Sequence, residues 1–190
     1  MLDSKPQVKG ILFLARLGFL RKQGGEALAQ ALAEIEPGAA SVLRGSIRPD
    51  AWYPLDLLHR VDSAIVSMLP GHDRADVLVQ IGRASADAIL IGSEGRHRQC
   101  RAPKSFLESV PQLYGALHTD GCREYESISH DAAVVRTFCA PCAAASDDCW
   151  TIVGWLQRGL ELSGAEAVLV RQTSSRARGG PSCAFHCEWR

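Results

Sequence analysis

Residues 146–190 read SDDCWTIVGWLQRGLELSG (146–164), AEAVLVRQTSS (165–175), RARGGP (176–181) and SCAFHCEWR (182–190). Ser146 is placed to cap a helix over 146–163. Asp147 and Asp148 fall in its first turn, where the helix dipole favours negative charge. Cys149, Ile152, Val153, Leu156 and Leu160 form its apolar stripe, and Gly164 stands where a left-handed closing residue belongs. A strand over 165–173 follows, then a turn at Arg178-Gly179-Gly180-Pro181. In the final strand Cys183, Phe185, Cys187 and Trp189 alternate with Ala184, His186, Glu188 and Arg190, the period of a half-buried sheet.

Upstream, residues 122–129 and 132–139 read as two more strands around a turn at His130-Asp131. The first 120 residues read as helical. Residues 8–21 are apolar and stop at Gly24-Gly25, and residues 26–35 resume the pattern until Pro37-Gly38. Residues 42–52 read as irregular. Pro54 opens a helix with the stripe Leu58, Val61, Ile65, Met68 and Leu69. Residues 73–91 give a buried helix with Val77, Ile81, Ala84, Ala88 and Ile91 in register. Residues 105–119 give another, carrying Phe106, Val110, Leu113 and Leu117, with Pro111 inside it.

Helices first and strands second define an α+β protein. The expected architecture is an N-terminal helical layer packed on a four-stranded, mainly antiparallel sheet. The helix of 146–163 crosses between the strand pairs. The expected organisation is one domain over 1–190, mainly helical through 120 and sheet-forming over 121–190.

The 190 residues suffice to bury a core without disulfide staples. Lys+Arg and Asp+Glu balance at 21 each, so no overall field draws the chain to nucleic acid or an anionic membrane. Seven cysteines at irregular spacing are not a disulfide framework, and a reducing, cytoplasmic setting is expected. The apolar run over 10–20 contains Arg16 and is too short to span a bilayer.

No GxSxG, HExxH, Walker loop or dinucleotide fingerprint is present, so no catalytic residue is assigned and an enzyme is not expected. The motifs left point to binding. Arg96, Arg98 and Arg101 form the densest basic loop, and Arg176 and Arg178 a second patch beside the glycine turn. Either suits a carboxylate, and either also suits a merely solvated surface. Trp52 and Tyr53 precede a helix and offer contact area at low entropic cost. Trp150 and Trp155 are five residues apart and face different directions, so Trp150 is a further contact candidate. Cys139 and Cys142 have CxxC spacing. They are half a zinc site at best, and they are not placed at a helix start as a redox pair would be. Cys183 and Cys187 are ~13 Å apart along one strand face, too far to share a metal. Core packing is the simpler role for both.

Several strings resemble a family of uncharacterised myxobacterial paralogues of similar length: VKGILFLARLGFL, AWYPLDL, IGRASAD, GCREYE, VVRTFCAP and DDCWTIVGWLQRGLELSGA. More distantly, the C-terminal half resembles vinyl-reductase-type ligand-binding domains. That resemblance implies kinship with sensors of aromatic effectors and with haem-based nitric-oxide sensors. It also implies a cysteine before and after the glycine turn that help to hold zinc. Cys183 matches the second, but Ser174 and Ser175 stand in place of the first.

The expected function is therefore a non-catalytic adaptor that recognises a peptide or protein segment, including a peptide substrate in a biosynthetic pathway. It is expected to need no cofactor and to form a homodimer or a hetero-oligomer with a paralogue. The alternative is a small-molecule or metal-dependent sensor using zinc or haem. A third reading is a thiol enzyme using Cys139 or Cys142.

Overall fold

The computed structural model of the chain describes residues 5–38, 40, 47–91, 102–138 and 149–190. Two antiparallel sheets and five long helices account for most of them. The α+β class read from the sequence is the observed one.

The large sheet contains β3 (Cys122–Ser127), β4 (Ala132–Phe138), β5 (Leu169–Ser174) and β6 (Cys183–Glu188), in the order β3-β4-β6-β5. Two hairpins thus meet at the β4–β6 pair, and the helix Trp150–Leu162 crosses from one to the other. The strands place one set of alternate residues against the helices, as a sheet covered on one face does, although the central strands β4 and β6 also bury Val134 and Ala184 on the other set. Ala133, Val135, Thr137, Cys183, Phe185 and Cys187 are buried inward, while Glu124, Glu126 and Glu188 are exposed outward. Gly179 takes a φ of 83° in the β5–β6 turn.

The helical layer contains α1 (Ile11–Ile35), α2 (Leu55–Met68), α3 (Arg74–Leu90) and α4 (Pro103–Leu117), and the crossing helix is α5 (Trp150–Leu162). Helix α1 is broken at Gly24 and Gly25, where Gly25 takes a φ of 70°. That is the break the paired glycines predict. Helix α4 starts two residues before the expected position, because Pro103 suits the first helical turn. Pro111 is absorbed inside it.

Helix α5 begins at Trp150 rather than at Ser146, and Ser146 itself lies outside the described residues. Cys149 occupies the capping position, and its N–H donates to Gln172 Oε1 on β5 at 2.8 Å. A side chain from the sheet thus satisfies a helix-end donor that a local cap was expected to serve.

The closest helix packing is α3 on α5. A Cβ on Gly82 would run into the Thr151 carbonyl, and one on Gly154 into the Val79 carbonyl. The two backbones therefore touch at each of these glycines. Arg83 binds Glu161 bidentately at 2.9 and 2.7 Å, and Arg158 reaches Asp87 at 2.7 Å, so ion pairs flank the same crossing. Ile91, expected in the buried stripe of α3, is 59% exposed. The buried face follows Val77, Leu78, Ile81, Ser85 and Ile89 instead, and Ile91 falls past its end.

The small sheet was not anticipated. Strand β1 (Gln7–Lys9) pairs with β2 (Trp52–Pro54), placing Val8 opposite Tyr53. Residues 42–52 had been expected to be irregular throughout and Val8 to be helical, but three-residue strands carry no usable alternation. A bridge between Val8 and His118, and the bond from Thr119 N–H to Gln7 O, fasten the end of α4 to β1.

Inside the helical layer, Arg16 is 4% and Asp62 9% exposed. They pair bidentately at 2.8 and 3.0 Å, and Arg16 Nη1 donates to Ser85 Oγ at 2.7 Å. This network ties α1, α2 and α3 together. No described helix is long and apolar enough to cross a membrane.

Candidate functional site

Polar groups converge where the inner face of β3 meets the C-terminal half of α4. Alternation along β3 turns Arg123 and Tyr125 inward and leaves Glu124 and Glu126 in solvent. The guanidinium of Arg123 lies 4.6 Å from the centre of the Tyr114 ring and 5.8 Å from that of Trp155. Its Nε donates to Thr137 Oγ1 at 3.1 Å. No carboxylate among the described residues pairs with it. Burial lowers its pKa to about 10, and Tyr114, Cys149 and Cys183 are the groups that oppose the shift.

Two residues along the strand, the hydroxyl of Tyr125 is buried with no hydrogen-bond partner. An enclosed hydroxyl left unpaired is costly and calls for an explanation. One explanation is a ligand that supplies the missing partner.

The third member is His118, in extended conformation just after α4. Its ring stacks on Tyr114, with centroids 4.2 Å apart and an interplanar angle of 9°. Its Nδ1 lies 3.3 Å from the Tyr114 carbonyl. Burial, and then the Arg123 charge, push its pKa down to about 3, so the imidazole is neutral at physiological pH. Arg16 and His59 act on it too, so this corner of the sheet faces α1 and α2. The pKa of His59 is lowered in the same direction, chiefly by burial. An Nδ1–H given to a carbonyl leaves Nε2 as the lone pair, the form that ligates metals.

A second cluster lies at the start of α5. Cys149 Sγ and Cys183 Sγ are 3.8 Å apart, and the Arg176 N–H donates to Cys183 Sγ at 3.4 Å. No group of three or more His, Cys, Asp or Glu arranged to hold a metal ion occurs among the described residues.

The residues expected from sequence fall in separate places. Trp150 opens α5 and Arg176 and Arg178 form the 3-10 turn after β5, so these join the thiol corner. Trp52 and Tyr53 sit on the small sheet instead. Lys9 lies 3.8 Å over the Trp52 ring, and Tyr53 packs on Phe13 and accepts the Arg48 N–H through its hydroxyl. Arg96, Arg98, Arg101, Cys139 and Cys142 lie outside the described residues. Arg123, Tyr125, Tyr114 and His118 were not singled out. The signal for two of them was present in GCREYE, whose alternation puts Arg123 and Tyr125 opposite the two glutamates.

No protein-family model matches the chain, and no curated protein does. Solved structures do match. An H-NOX protein from S. oneidensis in the Fe(II) ligation state superposes with a TM-score of 0.76 at 14% identity, covering 96% of each chain. An oxygen-binding H-NOX domain related to soluble guanylate cyclases gives 0.67 at 12% identity, covering 96% of this chain and 95% of that one. A structure solved to probe haem distortion in the H-NOX family gives 0.66 at 13% identity, covering 96% and 95%. The chain thus shares the H-NOX fold across nearly its whole length.

Three expectations are corrected by this. The structural neighbours are H-NOX proteins rather than vinyl-reductase-type domains, and nothing supports the resemblance to a myxobacterial family. The peptide adaptor is displaced, since the fold is that of proteins recorded with ferrous iron or oxygen. The expectation of no cofactor falls with it, because the same fold carries haem in those relatives.

Haem requires an axial donor and partners for its carboxylates. His118 is a half-buried, neutral imidazole whose Nδ1 faces the Tyr114 carbonyl. Among the described residues Arg123 has no carboxylate partner and the Tyr125 hydroxyl no hydrogen-bond partner. The chemistry of these groups fits the polar needs of such a ligand.

Proposed function

We propose that this chain is a ligand-sensing domain that binds haem, or a planar molecule with the same carboxylate chemistry, between the helical layer and β3. The observation that carries the reading is the pair on β3: among the described residues the Arg123 guanidinium has no carboxylate beside it and the buried Tyr125 hydroxyl has no partner. A carboxylate-bearing ligand satisfies both. In this reading Arg123 pairs with a carboxylate, Tyr125 donates a hydrogen bond, and His118 is the described imidazole that ligates iron. When bound, haem supplies an iron atom that takes a diatomic gas. The protein's own part is to hold His118 neutral, to exclude water with Tyr114 and Trp155, and to keep Arg123 charged.

Titration of the purified chain with ferric haem tests this. Binding is expected to give a sharpened Soret band and to quench Trp155 fluorescence at one equivalent. Arg123→Gln is expected to weaken binding by about tenfold or more, the loss of one charge-assisted contact. His118→Gln is expected to change the position of the Soret band while the circular dichroism stays native. If haem binds no better to the native chain than to the two variants, the assignment fails. A fluorescence response to aromatic carboxylates without any Soret band would retain the sensing reading and discard haem.

A further inference from the structure

We propose that the outer face of the large sheet is a docking surface for a second copy of this chain, the two sheets packing face to face about a two-fold axis that runs along the strands. The inference stands apart from the haem reading, since it rests on the opposite face of the sheet and needs no bound group.

Strand register fixes the layout of this face. Across the strands in the order β3-β4-β6-β5, one row holds Glu126, Val134, His186 and Arg171, and the next holds Ala132, Glu188 and Leu169. The ladder runs one bond past the end of β3, from Ile128 N–H to Ala132 O at 2.9 Å, so Ile128 heads that second row. Ile128 is 55% exposed, one of three large apolar side chains left in solvent among the described residues. The centre of the face is made of small residues, Ala132, Val134 and Ala184, so a second surface can approach closely.

The two margins of the face are complementary. On the β3 side Glu124 and Glu126 are exposed, with Ile128 beside them. On the β5 side Arg171 is exposed, with Leu169 beside it. The charges between them are used within the chain, since Arg136 pairs with Glu126 and His186 Nδ1 lies 3.3 Å from Glu188. Among the described residues Glu124 and Arg171 make no ion pair. They stand on opposite margins, three strand spacings or about 14 Å apart, too far to meet in one copy.

Two-fold symmetry brings them together. An axis along the strands lays the β3 margin of one copy over the β5 margin of the other, and the contact occurs twice. Arg171 then meets the Glu124 and Glu126 carboxylates of the second copy, and Leu169 meets its Ile128. An axis across the strands would lay β3 on β3 and set glutamates against glutamates, so charge selects the first arrangement. Stacked sheets lie about 10 Å apart, a gap that an arginine and a glutamate from facing sides span. The face is four strands wide and six residues long, about 19 Å by 20 Å, which is small for a permanent interface. A dissociation constant on the order of 10–100 µM, rising with salt, is expected.

Sedimentation equilibrium of the full chain over roughly 5 to 500 µM, a range that brackets that constant, gives the test. The average mass is expected to rise from 20.5 kDa toward twice that value, and to fall back when salt is raised. Arg171→Glu should stay monomeric, and so should the double variant Glu124→Arg with Glu126→Arg. An equimolar mixture of the two should dimerise again, because each contact then pairs opposite charges. Ile128→Asp should weaken the dimer by about tenfold or more, and at an exposed turn position it decides the matter if a charge reversal fails to fold. A mass of one chain across the whole range overturns the proposal. So does a dimer that Arg171→Glu and Ile128→Asp leave intact, or a pair of charge variants that do not restore each other.

Discussion

His118 links its surroundings to the pH dependence of stability. Its pKa in the folded chain is about 3, against an ordinary value near 6.5. Between those values the unfolded chain binds a proton that the folded chain refuses. Stability from this group is therefore full above about pH 6.5 and falls at about 1.4 kcal/mol per pH unit as the solution is acidified toward pH 3. His59 acts in the same direction. Urea unfolding between pH 7 and 4.5 should show the slope, and His118→Gln should flatten it. An unchanged slope in that variant would show that the imidazole is not enclosed. The buried Arg16–Asp62 pair makes a separate prediction. Asp62→Asn leaves a charge that is 4% exposed without its partner, at a cost of about 3–5 kcal/mol. The double variant Arg16→Met with Asp62→Leu should recover most of that in a denaturant melt, since it removes both charges together. A double variant as unstable as Asp62→Asn would show that the charges themselves hold the three helices.

At the scale of elements, the contact between α3 and α5 is the most demanding. Each helix offers a glycine to the other's backbone, so an added methyl group meets a carbonyl that has nowhere to go. Gly82→Ala and Gly154→Ala should each cost about 3 kcal/mol or more, read as a fall in the urea midpoint. Gly115→Ala, at a helical position whose added methyl meets nothing, should not destabilise. This contact also marks how far the sequence is legible. The strands over 122–127 and 183–188 follow from alternation, and the break in α1 follows from Gly24-Gly25, because those signals are local. The glycines of α3 and α5 carry no local sign of this contact. Nor does a three-residue strand such as β1, whose pairing is set by a partner more than forty residues away. The site was hidden for the same reason. Arg123 and Tyr125 were readable as inward-facing, but Tyr114, His118 and Trp155 reach them only through tertiary packing. Histidine and arginine also lacked the short spacing that marks a site in sequence.

For the whole molecule, the question is whether the helical part and the sheet part form one cooperative unit. Three ties join them. Helix α3 lies on α5, with Arg83 and Asp87 bound to Glu161 and Arg158. The Phe106 ring of α4 packs on Trp155, with centroids 5.4 Å apart, and over Gly159. Strand β1 holds the end of α4 through Val8 and Gln7. Neither part can open without exposing the other's core, so a single transition is expected. The four tryptophans supply the probe. Trp150, Trp155 and Trp189 report on the sheet part, while far-ultraviolet circular dichroism is dominated by α1 to α4. Thermal or urea unfolding followed by the two signals should give superimposable curves. Phe106→Ala cuts one tie and should cost about 3–5 kcal/mol while leaving the curves coincident. Curves that separate in the native chain would mean that the helical layer and the sheet fold as independent units, and a ligand held between them would then stabilise the junction more than either part.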